Sequence, residues 1–238
     1  MNLTLKKSFF TTLLSSMLVA SAAHAQTPAQ TSPKTPAQKT APTAPPKSTP
    51  AKADAKNPAT KSKTNACKPE KGMNVKVKLT TSMGAMTLEL NEEKAPISSA
   101  NFIKYVQSGH YDGTIFHRVI SNFMIQGGGF TKDMQQKSVN ASIKNESTNG
   151  LKNDLYTVAM ARTNVRDSAT SQFFINVKNN DFLNYTGEQP SGHGYAVFGK
   201  IIEGMDIVDK MKAVRTATIG PHGDVPVETI TIEKAECL

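Results

Sequence analysis

From Gln26 to Gly72 the chain has no Val, Ile, Leu, Met, Phe, Tyr or Trp, and a stretch without those side chains cannot build a hydrophobic core. Nine of the 13 prolines fall there, interleaved with Ala, Thr and Lys, a composition that favours extended conformers and a semi-rigid spacer. Residues 26–72 are therefore expected to be a disordered arm. Before it, residues 1–25 read as a secretory signal peptide. Lys6 and Lys7 precede an apolar run from Phe9 that Thr and Ser interrupt, and Ala23-His24-Ala25 offers cleavage after Ala25. The run is short of the roughly 20 apolar residues of a membrane span. After the arm, residues 73–238 are enough for one domain with a sizeable core.

The charge follows the same division. The net +9 is made up of two lysines in the leader and nine lysines against Asp54 and Glu70 in the arm, which leaves 17 basic and 17 acidic residues in 73–238. A folded nucleic-acid binder carries its basic excess on the folded face, so that class is set aside. The arm is compatible with resting on an anionic surface, although lysines that simply keep a spacer soluble explain it more economically. Two cysteines, Cys67 and Cys237, and five scattered histidines form no metal or redox motif, so no metal and no cofactor is expected.

Within the folded region, Val75, Val77 and Leu79 alternate with polar residues, as do Met86, Leu88 and Leu90, which predicts two strands joined through Ser82-Met83-Gly84. Pro96 opens a helix with Ile97, Phe102, Ile103 and Val106 as its apolar stripe and Gly109 as its stop, and Gly204 to Lys212 reads as a second helix. Further short strands are expected at 115–120, 123–126, 156–160, 173–177 and 196–201, with a last one from Val227 to Glu233. Many short strands with two helices between them describe a barrel or sandwich with helical caps, and a parallel nucleotide-binding sheet does not fit.

The stretch FHRVISNFMIQGGGF (116–130) raises the question of function, because it sets Arg118 and Gln126 among apolar strand residues. A guanidinium and an amide there need water, a partner or a ligand. The three glycines lack the Lys-Ser/Thr of a phosphate loop and read as a flexible bend or bulge. His117 should point to the opposite strand face from Arg118, as a buried, hydrogen-bonded structural histidine. No nucleophile elbow is present. Taken singly, Arg118 could be a surface ion pair, Gln126 an edge-strand amide, and Phe174, Phe182 and Tyr195 core filler, with Phe173 on the core face opposite Phe174.

In order and spacing, FHRVISNFMIQGG, YTVAMA, SQFFI and VFGKIIEGMDIVDKM resemble the cyclophilin-type peptidyl-prolyl cis/trans isomerases, most closely their bacterial periplasmic branch, over Val75 to Ile232. The resemblance implies a mainly β fold: a closed eight-stranded antiparallel barrel capped by two α-helices, with a peptide groove on its outer surface. It implies Arg118 as the catalytic arginine. Phe123, Met124, Phe174 and Leu183 become the proline-pocket wall, Gln126 and Gln172 groove hydrogen-bonders, and Ala161 with the Arg162 backbone the peptide platform. Phe182 stands where many members have Trp and Tyr195 where they have a pocket His; both rings can wall the site, but tight cyclosporin binding, which the Trp favours, is put in doubt. The first and last strands of such a barrel are neighbours, which implies a Cys67–Cys237 disulfide in an exported, most plausibly periplasmic, protein.

This chemistry suits the residues. Isomerising an Xaa-Pro bond breaks no covalent bond, so it requires no nucleophile, metal or cofactor, and a guanidinium can bind the prolyl nitrogen only as it leaves resonance. The expected partners are proline-containing peptides and unfolded exported proteins, and the chain is expected to be monomeric. Two other readings remain: a proline-peptide binding chaperone module with incidental turnover, which could dispense with Arg118, and a surface adhesin resting on the basic arm alone.

Overall fold

A computed structural model describes Cys67 and residues 74–238; the leader and, Cys67 apart, the arm expected from sequence lie outside the described residues. The elements run β1 (Lys76–Thr81), β2 (Gly84–Leu90), α1 (Pro96–Gln107), β3 (Thr114–Ile120), β4 (Met124–Thr131), β5 (Thr157–Met160), β6 (Phe173–Asn176), β7 (Val197–Glu203), α2 (Met205–Lys212), β8 (Thr216–Ile219), β9 (His222–Pro226) and β10 (Ile232–Cys237). Eight strands form one antiparallel sheet in the order β10-β1-β2-β7-β5-β6-β4-β3. The two ends of that order meet. Gly113 N–H donates to Ile232 O over 2.8 Å and Phe116 N–H to Ile230 O over 2.9 Å, with an antiparallel bridge between Ile115 and Thr231. The sheet is thus a nearly closed barrel, which leaves little free edge.

The barrel interior is the core. Val77, Leu79, Leu88, Ile125, Val158 and Ile175 are buried inside it by the alternation read from sequence. Helix α1 adds Phe102, Tyr105 and Val106, and the Phe102 ring lies 4.9 Å from Tyr111, 5.3 Å from Phe173 and 5.2 Å from Phe198. The first turn of α1 contains no acidic residue, and its amides are satisfied from a distance: Ile97 N–H and Ser98 N–H donate to the two oxygens of Glu146 over 2.9 and 2.7 Å. That bond also pins the long connection between β4 and β5. Cys67 and Cys237 are disulfide-bonded with Cα atoms 5.3 Å apart.

Three sequence expectations require correction. The last strand begins at Ile232 rather than Val227. Against β1, Thr80 opposes Lys234 and Thr81 opposes Ile232, so Glu233 is an extra residue, and the buried positions run Ile232, Ala235, Cys237 instead of alternating. The β8–β9 hairpin was not expected, because all of β8 is exposed and gives no apolar period. His117 does not face away from Arg118. Phe116 opposes Gly127 while Arg118 opposes Gln126, which makes His117 a bulge, and both His117 and Arg118 lie off the core between Phe116 and Val119. His117 is buried against Phe130, with ring centroids 4.7 Å apart, but its Nδ1 has no hydrogen-bond partner.

Candidate active site

Strand register assembles the site. Directly opposed residues of antiparallel strands share a face. Arg118 opposes Gln126, Gln126 opposes Phe174, Phe174 opposes Ala159 and Ala159 opposes Val197, so one row crosses β3, β4, β6, β5 and β7 on the outside of the barrel. The neighbouring row, Val119, Ile125, Ile175 and Val158, is the inside. The alternation that fills the core therefore also delivers a guanidinium, an amide and a phenyl ring side by side on the surface.

Around that row lies a second apolar cluster, separate from the barrel core. It consists of Met124, Ala159, Phe174, Leu183 and Val197, with Ile120, Phe123, Leu151, Ala161 and Tyr195 packed against it. The sequence-derived wall residues Phe123, Met124, Phe174 and Leu183 are all members, as are Ala161 and Tyr195. Phe182, in the 3-10 turn Asp181–Leu183, stands at the rim: the residue is 69% exposed and its ring lies 5.5 Å from that of Phe123. Phe173 belongs to the barrel core.

The polar groups are fixed from several sides. Gln126 Nε2 donates to Gln172 Oε1 over 2.9 Å, and Ala161 N–H donates to Gln172 O over 3.0 Å. The Arg162 guanidinium lies over the Tyr195 ring, 4.5 Å from its centroid, and its Nε donates to Gly194 O over 2.9 Å. Arg118 is half-exposed and its Nε donates to Asp224 Oδ2 over 3.4 Å, so the surface ion pair open to it at sequence level is present as well. Gly128 and Gly129, with Phe130, form a bulge on β4, while Gly127 stays in register with both neighbouring strands. Gly128 adopts φ +83°, and a Cβ on it would meet the rings of Tyr111 and Phe173 at 2.8 and 2.9 Å.

Sequence reasoning missed the support beneath the wall. Asn153, Asn176 and Asn180 are wholly buried and linked: Asn180 Nδ2 donates to Asn176 Oδ1 over 2.7 Å and to Phe123 O over 2.9 Å, and Asn176 Nδ2 donates to Asn153 Oδ1 over 3.2 Å. Asn153 Nδ2 then donates to Leu183 O and Tyr195 O over 3.2 and 3.3 Å. One amide network thereby ties together the segments that carry three wall residues, at a depth where unpaired groups are costly. An amide inside the apolar run Phe173–Val177 was a signal of the same kind as Gln126; nothing in the sequence distinguishes Asn153 or Asn180.

The imidazole beside the half-exposed Arg118 is itself buried. Burial, followed by the nearby His222 and Arg118, holds the His117 imidazole down to about 4 from 6.5, so it is neutral at neutral pH. Among the described residues, no three or more His, Cys, Asp or Glu side chains converge as a metal site would require. A cavity of about 330 Å³, lined by Glu89, Asn91, Lys152, Asp154 and Lys200 among others, borders the end of the apolar cluster away from Arg118 through Leu151 and Val197. What the Arg118 face offers is an apolar seat for a small ring, with hydrogen-bonding groups along one side.

Residues 76–237 match the family described as cyclophilin type peptidyl-prolyl cis-trans isomerase/CLD. The chain is 63% identical over 162 residues to peptidyl-prolyl cis-trans isomerase cyp18 of Streptomyces antibioticus, covering 68% of this chain and 98% of that one. It is 53% identical over 162 residues to peptidyl-prolyl cis-trans isomerase A of Dickeya dadantii, covering 68% and 84%. Among solved structures, the cyclophilin type peptidyl-prolyl cis-trans isomerase of Cryptosporidium parvum aligns with a TM-score of 0.57 at 26% identity, over 69% of this chain and 98% of that one. The same Cryptosporidium enzyme in the presence of the dipeptide Ala-Pro aligns with a TM-score of 0.55, over 67% and 96%.

Proposed function

The chain belongs to the cyclophilin-type peptidyl-prolyl cis-trans isomerases and has their activity, and on that premise we propose that Arg118 is its catalytic residue and the outer apolar cluster its proline pocket. The observation that carries this reading is the register row from Arg118 through Gln126 to Phe174, which sets a guanidinium at the edge of an aromatic wall. A proline ring seats on Phe123, Met124, Phe174 and Leu183, with Phe182 and Tyr195 at the margins. Gln126, Gln172 and the Ala161–Arg162 backbone hold the flanking peptide, so one side of the bond turns while the other is fixed.

Rotation about an Xaa-Pro bond is slow because it forfeits amide resonance, a barrier of about 20 kcal/mol. As the bond twists, the prolyl nitrogen becomes pyramidal and gains a lone pair. An Arg118 N–H donates to that lone pair, an interaction made in the twisted state and absent from either planar state, which is how binding energy becomes rate. No proton is transferred and no covalent intermediate forms. Arginine suits the role because a guanidinium keeps its charge and presents several donors in a fixed plane.

The clients are proposed to be exported proteins. The leader read in residues 1–25 and the Cys67–Cys237 disulfide both suit an oxidising compartment outside the cytoplasm, with residues 26–72 as a spacer and 73–238 as the isomerase domain. Fractionation of the source cells, with N-terminal sequencing of the mature chain, checks export: a cytoplasmic protein beginning at Met1 contradicts it. The site itself is checked by titrating an Ala-Pro peptide into isotopically labelled protein. Resonance shifts should concentrate at Phe123, Met124, Gln126, Phe174 and Leu183; shifts concentrated around Lys152, Asp154 and Lys200 would relocate the site.

A further inference from the structure

Asp224 is the side chain that the proposed mechanism leaves unused although it touches Arg118. It sits in β9, on the hairpin that crosses the outside of β3, and its Oδ2 accepts from Arg118 Nε over 3.4 Å. Among the described residues this is the one side-chain hydrogen bond that Arg118 makes within the protein. The Arg118 and Asp224 side chains are 43% and 44% exposed, and an ion pair so open to water contributes little to stability.

The backbone makes the residue choice informative. Asp224 adopts φ 59°, in the left-handed region that glycine enters freely and that Asp tolerates at a smaller cost than most residues with a Cβ. Glycine would therefore serve the turn better, and the exposed pair does not compensate through stability. What the carboxylate does supply is a second attachment for the guanidinium. An unrestrained arginine has four side-chain torsions, and a carboxylate on Nε fixes the plane of the fork while leaving both terminal nitrogens uncommitted.

We propose that Asp224 is a positioning residue for the isomerisation, holding the Arg118 guanidinium by its Nε so that its terminal N–H groups are presented to the prolyl nitrogen. This rests on the reading of Arg118 as the catalytic residue. Orienting a group that acts only in the twisted state lowers the entropy lost on reaching that state, so removing the orienter acts on kcat more than on KM.

The test uses the mature protein and an Xaa-Pro peptide whose exchange is followed by NMR. Asp224→Gly should leave the thermal midpoint unchanged or raise it, because it relieves the left-handed strain, yet lower kcat by roughly three- to ten-fold with KM changed by less than about two-fold. Asp224→Asn tolerates the same backbone and keeps a neutral acceptor, so it should fall between Asp224→Gly and wild type. In an Arg118→Lys background Asp224→Gly should have no further effect. The Arg118 Nε–H resonance should exchange slowly with solvent in the wild type and rapidly in Asp224→Gly. Wild-type kcat in Asp224→Gly, while Arg118→Ala is inactive, overturns the proposal and leaves the role of Arg118 standing. Full activity in Arg118→Ala overturns both.

Discussion

Gln126 and Gln172 are joined side chain to side chain over 2.9 Å, and Gly129 leaves the space in which they meet: a Cβ on Gly129 would lie 2.5 Å from Gln172 Cγ and 2.7 Å from its Nε2. The last glycine of the run that follows Gln126 thus makes room for the glutamine pair, where the sequence offered only a bend. Gly129→Ala meets the Gln172 side chain as far in as Cγ, so it should displace that side chain at a cost of about 1–3 kcal/mol while leaving the protein folded. Gln126 would lose its partner, and KM for a proline peptide should rise several-fold with kcat less affected. Steady-state kinetics and a denaturation curve check both parts; unchanged KM would show that the glutamine pair does not hold the peptide.

The buried asparagine network predicts a large stability effect from a substitution that keeps the side chain's branching and number of heavy atoms. Asn176→Leu leaves the Asn153 Oδ1, Asn180 Nδ2 and Thr157 Oγ1 atoms each short of a bond they make to Asn176, which should cost about 2–4 kcal/mol. Urea unfolding measures it. A loss below about 0.5 kcal/mol would mean that the network is satisfied in some other way.

His117 predicts a pH dependence of stability. Its folded value is lowered to about 4 against 6.5 in the unfolded chain, so between those values the unfolded state takes up a proton that the native state refuses. The neutral-state contribution is complete above pH 6.5, is lost as pH falls towards 4, and is constant below. The loss amounts to about 3 kcal/mol. From pH 7 to 4 the thermal midpoint of wild type should fall relative to that of His117→Phe, whichever is the higher at neutral pH; curves that stay parallel through the window would show that His117 does not titrate there.

Where side-chain periodicity survived folding, sequence carried the fold. Val77, Leu79, Leu88 and Ile175 alternate into the barrel, and Pro96 starts α1 as its residue type requires. Bulges defeated the same rule: an extra residue at His117 turned it to the side of Arg118, and another at Glu233 hid the true last strand. The proposed site drew attention in the sequence because Arg118 and Gln126 interrupt apolar strands, and because the motifs around them are those of the family to which the chain belongs. Asp224, Asn153 and Asn180 lie in polar surroundings in sequence, and only the long-range pairing of strands and loops gives them partners.

The central claim is that catalysis is carried by one guanidinium at the edge of an apolar wall, and the kinetics of Arg118→Ala and Arg118→Lys on a proline peptide test it most directly. Arg118 is half-exposed and its ion pair with Asp224 contributes little to stability, so both variants should retain the wild-type fold and thermal midpoint within a few degrees. In both, kcat/KM should fall by about two decades or more, because the lost bond belongs to the twisted state and an ammonium cannot reproduce a planar fork. Isomerisation near the wild-type rate in either folded variant would contradict the account.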